Sequence, residues 1–361
     1  MAVLKVDKLV KKFGDFTAAE NVSIDVPSGS VCTLLGPSGC GKTTTLRCVA
    51  GLEQPDAGTI ELDGRTLSAA QSGIFVPPES RGLGMVFQSY ALWPHKTVFD
   101  NLALGLRIAG KSRGEIADKI AEVLDVVGME GSQKRHPAQL SGGQQQRVAV
   151  ARALALEPKC LLFDEPLSNL DVLLRDRMRF EIREMLTSQA ITALYVTHDQ
   201  TEAMVISDMI CVMNRGRIAG KGSPAELYDR PPTTFVAAFF GRTNLLPLDR
   251  AASRPEAGVV VTASGLALRS RDAARLEALN GEASIAVRPE AIRIAREGEA
   301  GQFEARVQAC AHLGPNTDIE VEAAGHHLSI LIAGRRAYEP GERVHLSIDA
   351  DDVMLITKDE A

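Results

Sequence analysis

Aromatic residues make up only 4% of the 361 positions, and Trp93 is the single tryptophan. Single-stranded nucleic acid is bound on platforms of such rings, so that class of function has little to work with. A basic excess is missing too. Against 40 Lys and Arg stand 46 Asp and Glu, a formal net charge of −6, and nucleic-acid partners call for the opposite sign. No apolar run approaches the roughly 18 residues of a membrane-spanning helix. The opening MAVLKVDKLVKKFG alternates charged and apolar residues and has no signal-peptide core, which predicts a cytosolic chain. The six cysteines (Cys32, Cys40, Cys48, Cys160, Cys211, Cys310) form no CxxC pair, so reduced and mostly buried thiols are expected. His326-His327 are adjacent and supply no complete metal site.

What remains is ordinary for a soluble globular protein, with 45% hydrophobic and 24% charged residues. At about 150 residues per domain the length suggests two domains. As far as about residue 240 the chain alternates β-rich runs with helix-length periodic segments, the pattern of an α/β domain. VCTLL (Val31–Leu35), CLLFD (Cys160–Asp164) and ITALYVT (Ile191–Thr197) are continuous apolar runs, as strands covered on both faces should be. Residues 89–157 read as a helical insert. Within it Ser112-Arg-Gly-Glu115 forms a capping box, with Ile116, Ile120, Val123, Leu124 and Val127 at helical spacing behind it. A further helix is expected from near Ser141 to before Pro158. From 241 to 361 short alternating strand patterns separated by Gly, Pro and charge predict a small all-β barrel or sandwich.

Gly36-Pro37-Ser38-Gly39-Cys40-Gly41-Lys42-Thr43 fits G-x-x-x-x-G-K-[ST] between an apolar strand and a helix. Glycines let the backbone curl so that successive N–H groups face phosphate oxygens, and the following helix start adds partial positive charge. Lys42 would reach the β- and γ-phosphates, Thr43 would ligate Mg²⁺, and Thr44 is counted with the nucleotide-binding residues. Asp164 ends a buried strand, where open α/β sheets bind ligands, and is placed to hold the hydrated metal. Glu165 follows it, poised to orient or deprotonate an attacking water. His198 ends the next apolar strand at the same sheet edge, in reach of a γ-phosphate. Leu140-Ser141-Gly142-Gly143-Gln144 opens a helix as a second anion site of similar build. Two such sites for one γ-phosphate are explained most economically by a head-to-tail pair of chains, each completing the other's site.

GPSGCGKT, Gln88, LSGGQ, CLLFDE, SNLD and His198, in this order, resemble the nucleotide-binding subunit of an ATP-binding-cassette transporter over residues 3–240. The resemblance implies a P-loop cassette fold with a RecA-like core and a helical subdomain. It implies that Gln88 contacts the metal and links nucleotide to a membrane partner, that Ser141 to Gln144 and Asp171 act across a dimer, and that Phe13 stacks on adenine. Tyr90, Leu92, Trp93 and Phe99 would then form an apolar docking surface. The chain after Gly241, above all Val287-Arg-Pro-Glu-Ala-Ile292, is similar to the OB/TOBE-like β domain of cassette subunits serving bacterial solute importers.

On this resemblance the chain is expected to be an ATPase using ATP and Mg²⁺. It would work as a homodimer on integral-membrane permease subunits, at the cytoplasmic face of the cell membrane and served indirectly by an extracytoplasmic solute-binding protein. No nucleic acid is expected as partner. Ferric iron or polyamine is the favoured cargo, with sugar or phosphonate as alternatives. A soluble cassette ATPase or a non-transporting nucleotide sensor are the readings from other classes.

Overall fold

A computed structural model describes residues 2–279, 282–295 and 302–358. The chain divides into two compact units, one up to Pro224 and one from Ala225 onward.

The first unit opens with a long hairpin, β1 (Ala2–Phe13) and β2 (Phe16–Pro27), followed by β3 (Val31–Leu35) and α1 (Lys42–Ala50). Next come β4 (Ala57–Leu62), β5 (Arg65–Ala69), β6 (Ile74–Phe75) and β7 (Leu83–Val86). The helical insert is α2 (Val98–Ile108), α3 (Arg113–Val126) and α4 (Gly142–Leu154). The unit closes with β8 (Cys160–Asp164), α5 (Val172–Ser188), β9 (Ala193–Thr197), α6 (Gln200–Ile206), β10 (Met209–Asn214) and β11 (Arg217–Gly222).

One sheet, ordered β2-β1-β4-β5-β6, is antiparallel; the other runs β11-β10-β3-β9-β8-β7 and is parallel from β10 to β7. Every residue of β3, β8 and β9 is buried, the expected consequence of apolar runs without alternation. Their alternate faces feed two cores. Leu161, Phe163 and Tyr195 pack with the insert helices, while Cys32, Leu34, Leu162 and Val196 pack towards the hairpin sheet and α1. Tyr90 lies in the first core, with Leu92 and Phe99 packed against it. Of the four residues expected to form a docking surface, Tyr90 is buried, Leu92 and Phe99 are half-buried, and Trp93 is exposed with Arg152 over its ring.

Arg81 holds the far end of α1. It is 1% exposed, and its guanidinium donates to the carbonyls of Cys48 (2.9 Å), Val49 (2.7 Å) and Val76 (2.8 Å). The first two are α1 carbonyls with no partner inside the helix. Gly51, at φ +82°, leaves room for this contact, since a Cβ there would stand 2.4 Å from Arg81 Nε.

The second unit begins earlier than position 241. It includes α7 (Pro224–Asp229, its first residue at the junction) and α8 (Thr234–Phe239). The reason is a buried cation: Arg288 donates to the Tyr228 carbonyl (3.0 Å), the Ala237 carbonyl (2.8 Å) and the Thr243 hydroxyl (2.6 Å). Beyond α8 lie β12 (Asn244–Arg254), β13 (Val259–Thr262), β14 (Ala267–Arg269), β15 (Ala283–Val287), β16 (Ile292–Ile294), β17 (Phe303–Leu313), β18 (Asn316–Ala323), β19 (His326–Ala333), β20 (Arg343–Ile348) and β21 (Met354–Thr357). They form two antiparallel sheets, β14-β13-β12-β15-β21 and β16-β20-β17-β18-β19, around one core that includes Leu246, Ile285, Val307, Ile319 and Leu346.

Candidate active site

The ends of β3, β9, β8 and β7 lie side by side in that order, because those strands are parallel neighbours. Their C-terminal extensions carry the phosphate loop, Thr197-His198, Asp164-Glu165 and Gln88. Four stretches separated by up to about 160 positions thus meet on one sheet edge, where ligands of open α/β sheets bind.

The loop's shape depends on two glycines in the left-handed region, Gly39 (φ +78°) and Gly41 (φ +104°). A Cβ on Gly41 would lie 2.0 Å from the Ala18 carbonyl oxygen of β2, so here only glycine lets the loop lie against the hairpin sheet. Lys42 is buried and donates to the carbonyls of Gly36 (2.8 Å) and Pro37 (2.9 Å), folded over its own loop. Among the first six helices, α2 to α6 are capped by the side chains of Thr97, Ser112, Ser141, Asp171 and Asp199, whereas α1 has no side-chain cap. Its first internal hydrogen bond runs from Thr45 N–H to the Gly41 carbonyl (2.9 Å). The N–H groups of Lys42, Thr43 and Thr44 precede that bond and are the donors a helix start offers to an anion.

Cys40 is 4% exposed, and burial pushes its thiol up despite nearby Lys42. It fills space in the loop and lacks the thiolate character of a reactive cysteine.

Asp164 is 8% exposed, its Oδ1 lies 3.4 Å from Thr43 Oγ1, and burial raises its carboxyl above the usual range. A desolvated carboxylate beside a hydroxyl is a hard-oxygen pair suited to Mg²⁺, which keeps its remaining positions for water and phosphate. Glu165 has left-handed backbone (φ +45°), and its Oε2 stands 3.0 Å from His198 Nδ1. Gln88 is exposed two residues past β7, and its carbonyl accepts from Asn169 Nδ2 (2.7 Å).

Other expected residues are engaged locally within one chain. Ser141 Oγ accepts from Gln144 N–H (3.4 Å) and Gln144 Oε1 from Ser141 N–H (3.1 Å), a closed capping box. The second anion site is therefore not built like the first, whose helix start is uncapped. Gly142 and Gly143 pack on α5 and the turn before it: added Cβ atoms would meet Leu170 Cδ2 at 2.9 Å and Met178 Sδ at 3.3 Å. Asp171 caps α5 by accepting from Leu174 N–H (2.9 Å). Among the described residues, no hydrogen bond joins Ser141 or Asp171 to the phosphate loop. Phe13 ends β1 with 47% of its surface exposed and the Lys11 ammonium 5.1 Å from its ring centroid, so it is not a core residue.

Comparison with known proteins identifies the family. A model of the ABC transporter family matches residues 19–168, and a TOBE domain model matches residues 285–356. The chain is 44% identical to the spermidine/putrescine import ATP-binding protein PotA of Rubrobacter xylanophilus, over 98% of this chain and 93% of that one. The chain belongs to the ABC transporter family. It is 46% identical to the Fe(3+) ions import ATP-binding protein FbpC of Brucella abortus, over 90% of this chain and 89% of that one. A solved dimeric structure of the ATP-binding cassette MJ0796, in a post-hydrolysis state with ADP and Pi, superposes with a TM-score of 0.52 and 29% identity. That match covers 61% of this chain and 98% of the other. The ABC protein described here is accordingly an ATPase with a P-loop cassette and a C-terminal TOBE domain. Among the described residues, no helix is long and apolar enough to cross a membrane.

Two residues without a role in the sequence reading stand out at this edge. Asn169 ties the turn before α5 to Gln88, and Arg175 bonds two carbonyls of that same turn. Asn169 lies within the quoted SNLD motif. Arg175 carries no local signal, being one charge among several on an amphipathic helix.

Proposed function

We propose that this chain hydrolyses MgATP to drive solute import through a separate membrane permease, as a homodimer that sandwiches nucleotide. The observation that carries the hydrolytic part is the convergence on one sheet edge of an uncapped helix start behind a glycine loop with Thr43, Asp164, Glu165 and His198.

Amides of residues 39–44 and the Lys42 ammonium bind the triphosphate and meet charge that develops as the γ-phosphoryl group departs. Lys42 leaves the Gly36 and Pro37 carbonyls to do so. Thr43, Asp164 and Gln88 would hold Mg²⁺, which supplies further neutralisation of the phosphate oxygens. Glu165 holds the attacking water and accepts its proton, while His198 turns from Glu165 to the γ-phosphate. Phe13 offers an exposed face for adenine.

The homodimer is supported by two facts. Among the described residues, Ser141, Gly142, Gly143, Gln144 and Asp171 make no hydrogen bond to their own phosphate loop, and the similar MJ0796 cassette is dimeric. ATP held between both chains favours the closed pair, and hydrolysis removes that differential affinity. Relatives named for ferric iron and for spermidine/putrescine import support one of these as the cargo, delivered by an extracytoplasmic binding protein and a permease. The ATPase would then sit peripherally on the cytoplasmic face.

The deciding experiment is Glu165→Gln. The variant is expected to bind a fluorescent ATP analogue like wild type, to dimerise with ATP in size-exclusion chromatography, and to lose about 10²–10⁴-fold in turnover. Undiminished hydrolysis removes Glu165 from the reaction.

A further inference from the structure

We propose that Arg175 is a positioning residue of the ATPase reaction, locking the segment after Glu165 to the segment after His198. This rests on the reading that Glu165 and His198 carry out hydrolysis. Arg175 sits in the first turns of α5. One guanidinium nitrogen, Nη2, donates to the carbonyls of Ser168 (3.3 Å) and Leu170 (3.1 Å). The other, Nη1, lies 3.7 Å from Oδ2 of Asp199, the residue next to His198.

Both ends of this bridge are themselves anchored. Ser168 Oγ donates to the Glu165 carbonyl (2.8 Å), so Arg175 is two hydrogen bonds from the backbone of Glu165. On the other side Asp199 N–H donates to Thr197 Oγ1 (3.0 Å), Thr197 Oγ1 donates to Glu202 Oε2 (2.5 Å), and Asp199 Oδ1 accepts from Glu202 N–H (3.0 Å). His198 thus hangs between two residues held by buried Glu202, and the guanidinium joins that group to the turn before α5.

Two features give the bridge work to do. Glu165 has left-handed backbone at φ +45°, a conformation that persists in a non-glycine residue only when its surroundings over-determine it. In addition, the direct Glu165–His198 contact must open when a water and a γ-phosphate enter between the side chains. Once it opens, registry of the two groups depends on backbone ties, and Arg175 supplies one that the substrate does not displace. A planar fork reaches two carbonyls and a carboxylate together; an ammonium does not.

The test uses the full chain with Arg175→Lys and Asp199→Asn. The latter removes the charge partner and keeps a good N-cap for α6. Each variant is expected to lower kcat at saturating ATP by about 10- to 100-fold, the scale of an ångström-sized misplacement, with KM for ATP unchanged and thermal melting close to wild type. The double variant should be no slower than the worse single one, because both remove the same tie. Wild-type kcat in both single variants, a raised KM with kcat intact, or additive losses would each overturn the proposal. Glu165→Gln run in parallel separates the two levels. If it is inactive while Arg175→Lys is normal, only the bridge fails; if it hydrolyses freely, the reading beneath it fails.

Discussion

Gly41→Ala against Gly39→Ala is the sharpest test of the phosphate loop's geometry, because the two positions share a backbone requirement and differ in space. Both glycines are left-handed, at φ +78° for Gly39 and +104° for Gly41, and alanine in that region costs about 1–2 kcal/mol. Nothing lies within 4 Å of a Cβ on Gly39, whereas one on Gly41 would meet the Ala18 carbonyl oxygen at 2.0 Å. Ala18 is 4% exposed and its backbone belongs to β2, which pairs with β1 along most of its length, so the oxygen cannot yield cheaply. The loop and the start of α1 must move instead, by about 1 Å, a misplacement that costs a reaction about 100-fold. Gly39→Ala should therefore lose about 1–2 kcal/mol in urea unfolding and still bind and hydrolyse ATP. Gly41→Ala should lose about 100-fold or more in kcat/KM, equivalent to roughly 2.7 kcal/mol of transition-state stabilisation. Steady-state ATPase rates and binding of a fluorescent ATP analogue, read for both variants, decide the matter. Equal damage from the two substitutions, or wild-type kcat/KM in Gly41→Ala, would refute the reasoning.

Arg81→Ala should lower stability by roughly 2–5 kcal/mol in urea unfolding, since it removes the buried donor from the carbonyls of Val49, Cys48 and Val76, of which Cys48 keeps the Gly51 N–H, and leaves a void under Phe75. An unchanged unfolding midpoint would show that water replaces the guanidinium without loss. Of the six free thiols five are buried and Cys310 is half-buried. Burial pushes Cys48 and Cys160 up to about 12. An aromatic disulfide reagent near pH 8 should therefore titrate Cys310 first in the native protein and all six in urea; fast reaction at Cys48 or Cys160 contradicts that burial.

Local patterns in the sequence were enough to place the nucleotide loop, the buried parallel strands and the capped helices, because each depends on neighbours a few positions away. A continuous apolar run fits only a strand covered on both faces, and Ser112 caps α3 with Glu115 three residues on. The β-rich texture of the C-terminal part was legible for the same reason. Where local pattern has no purchase, the sequence reading went astray or silent. Ser141 and the phosphate loop look alike in sequence, since both open a helix among glycines; only the fold shows that one helix start carries a side-chain capping box and the other does not. Tyr90, expected with Leu92, Trp93 and Phe99 at a docking surface, is buried in the insert core, because an apolar residue looks the same in sequence whether it faces a partner or a core. That residues 225–240 group with the second unit is equally illegible in sequence, because Arg288 reaches back from far along the chain to the Tyr228 and Ala237 carbonyls and Ala237 packs with Ala286, Met354 and Ile356. Arg175 was invisible for the same cause: its partners Ser168, Leu170 and Asp199 lie on two different strand ends. The sequence by itself determined which residue types can bind a triphosphate and which segments become strands and helices, since those depend on short-range sterics and hydrogen bonding. Tertiary structure alone decided which carbonyls and carboxylates meet, because side chains distant in sequence come into contact only when the parallel sheet sets its strand ends next to one another.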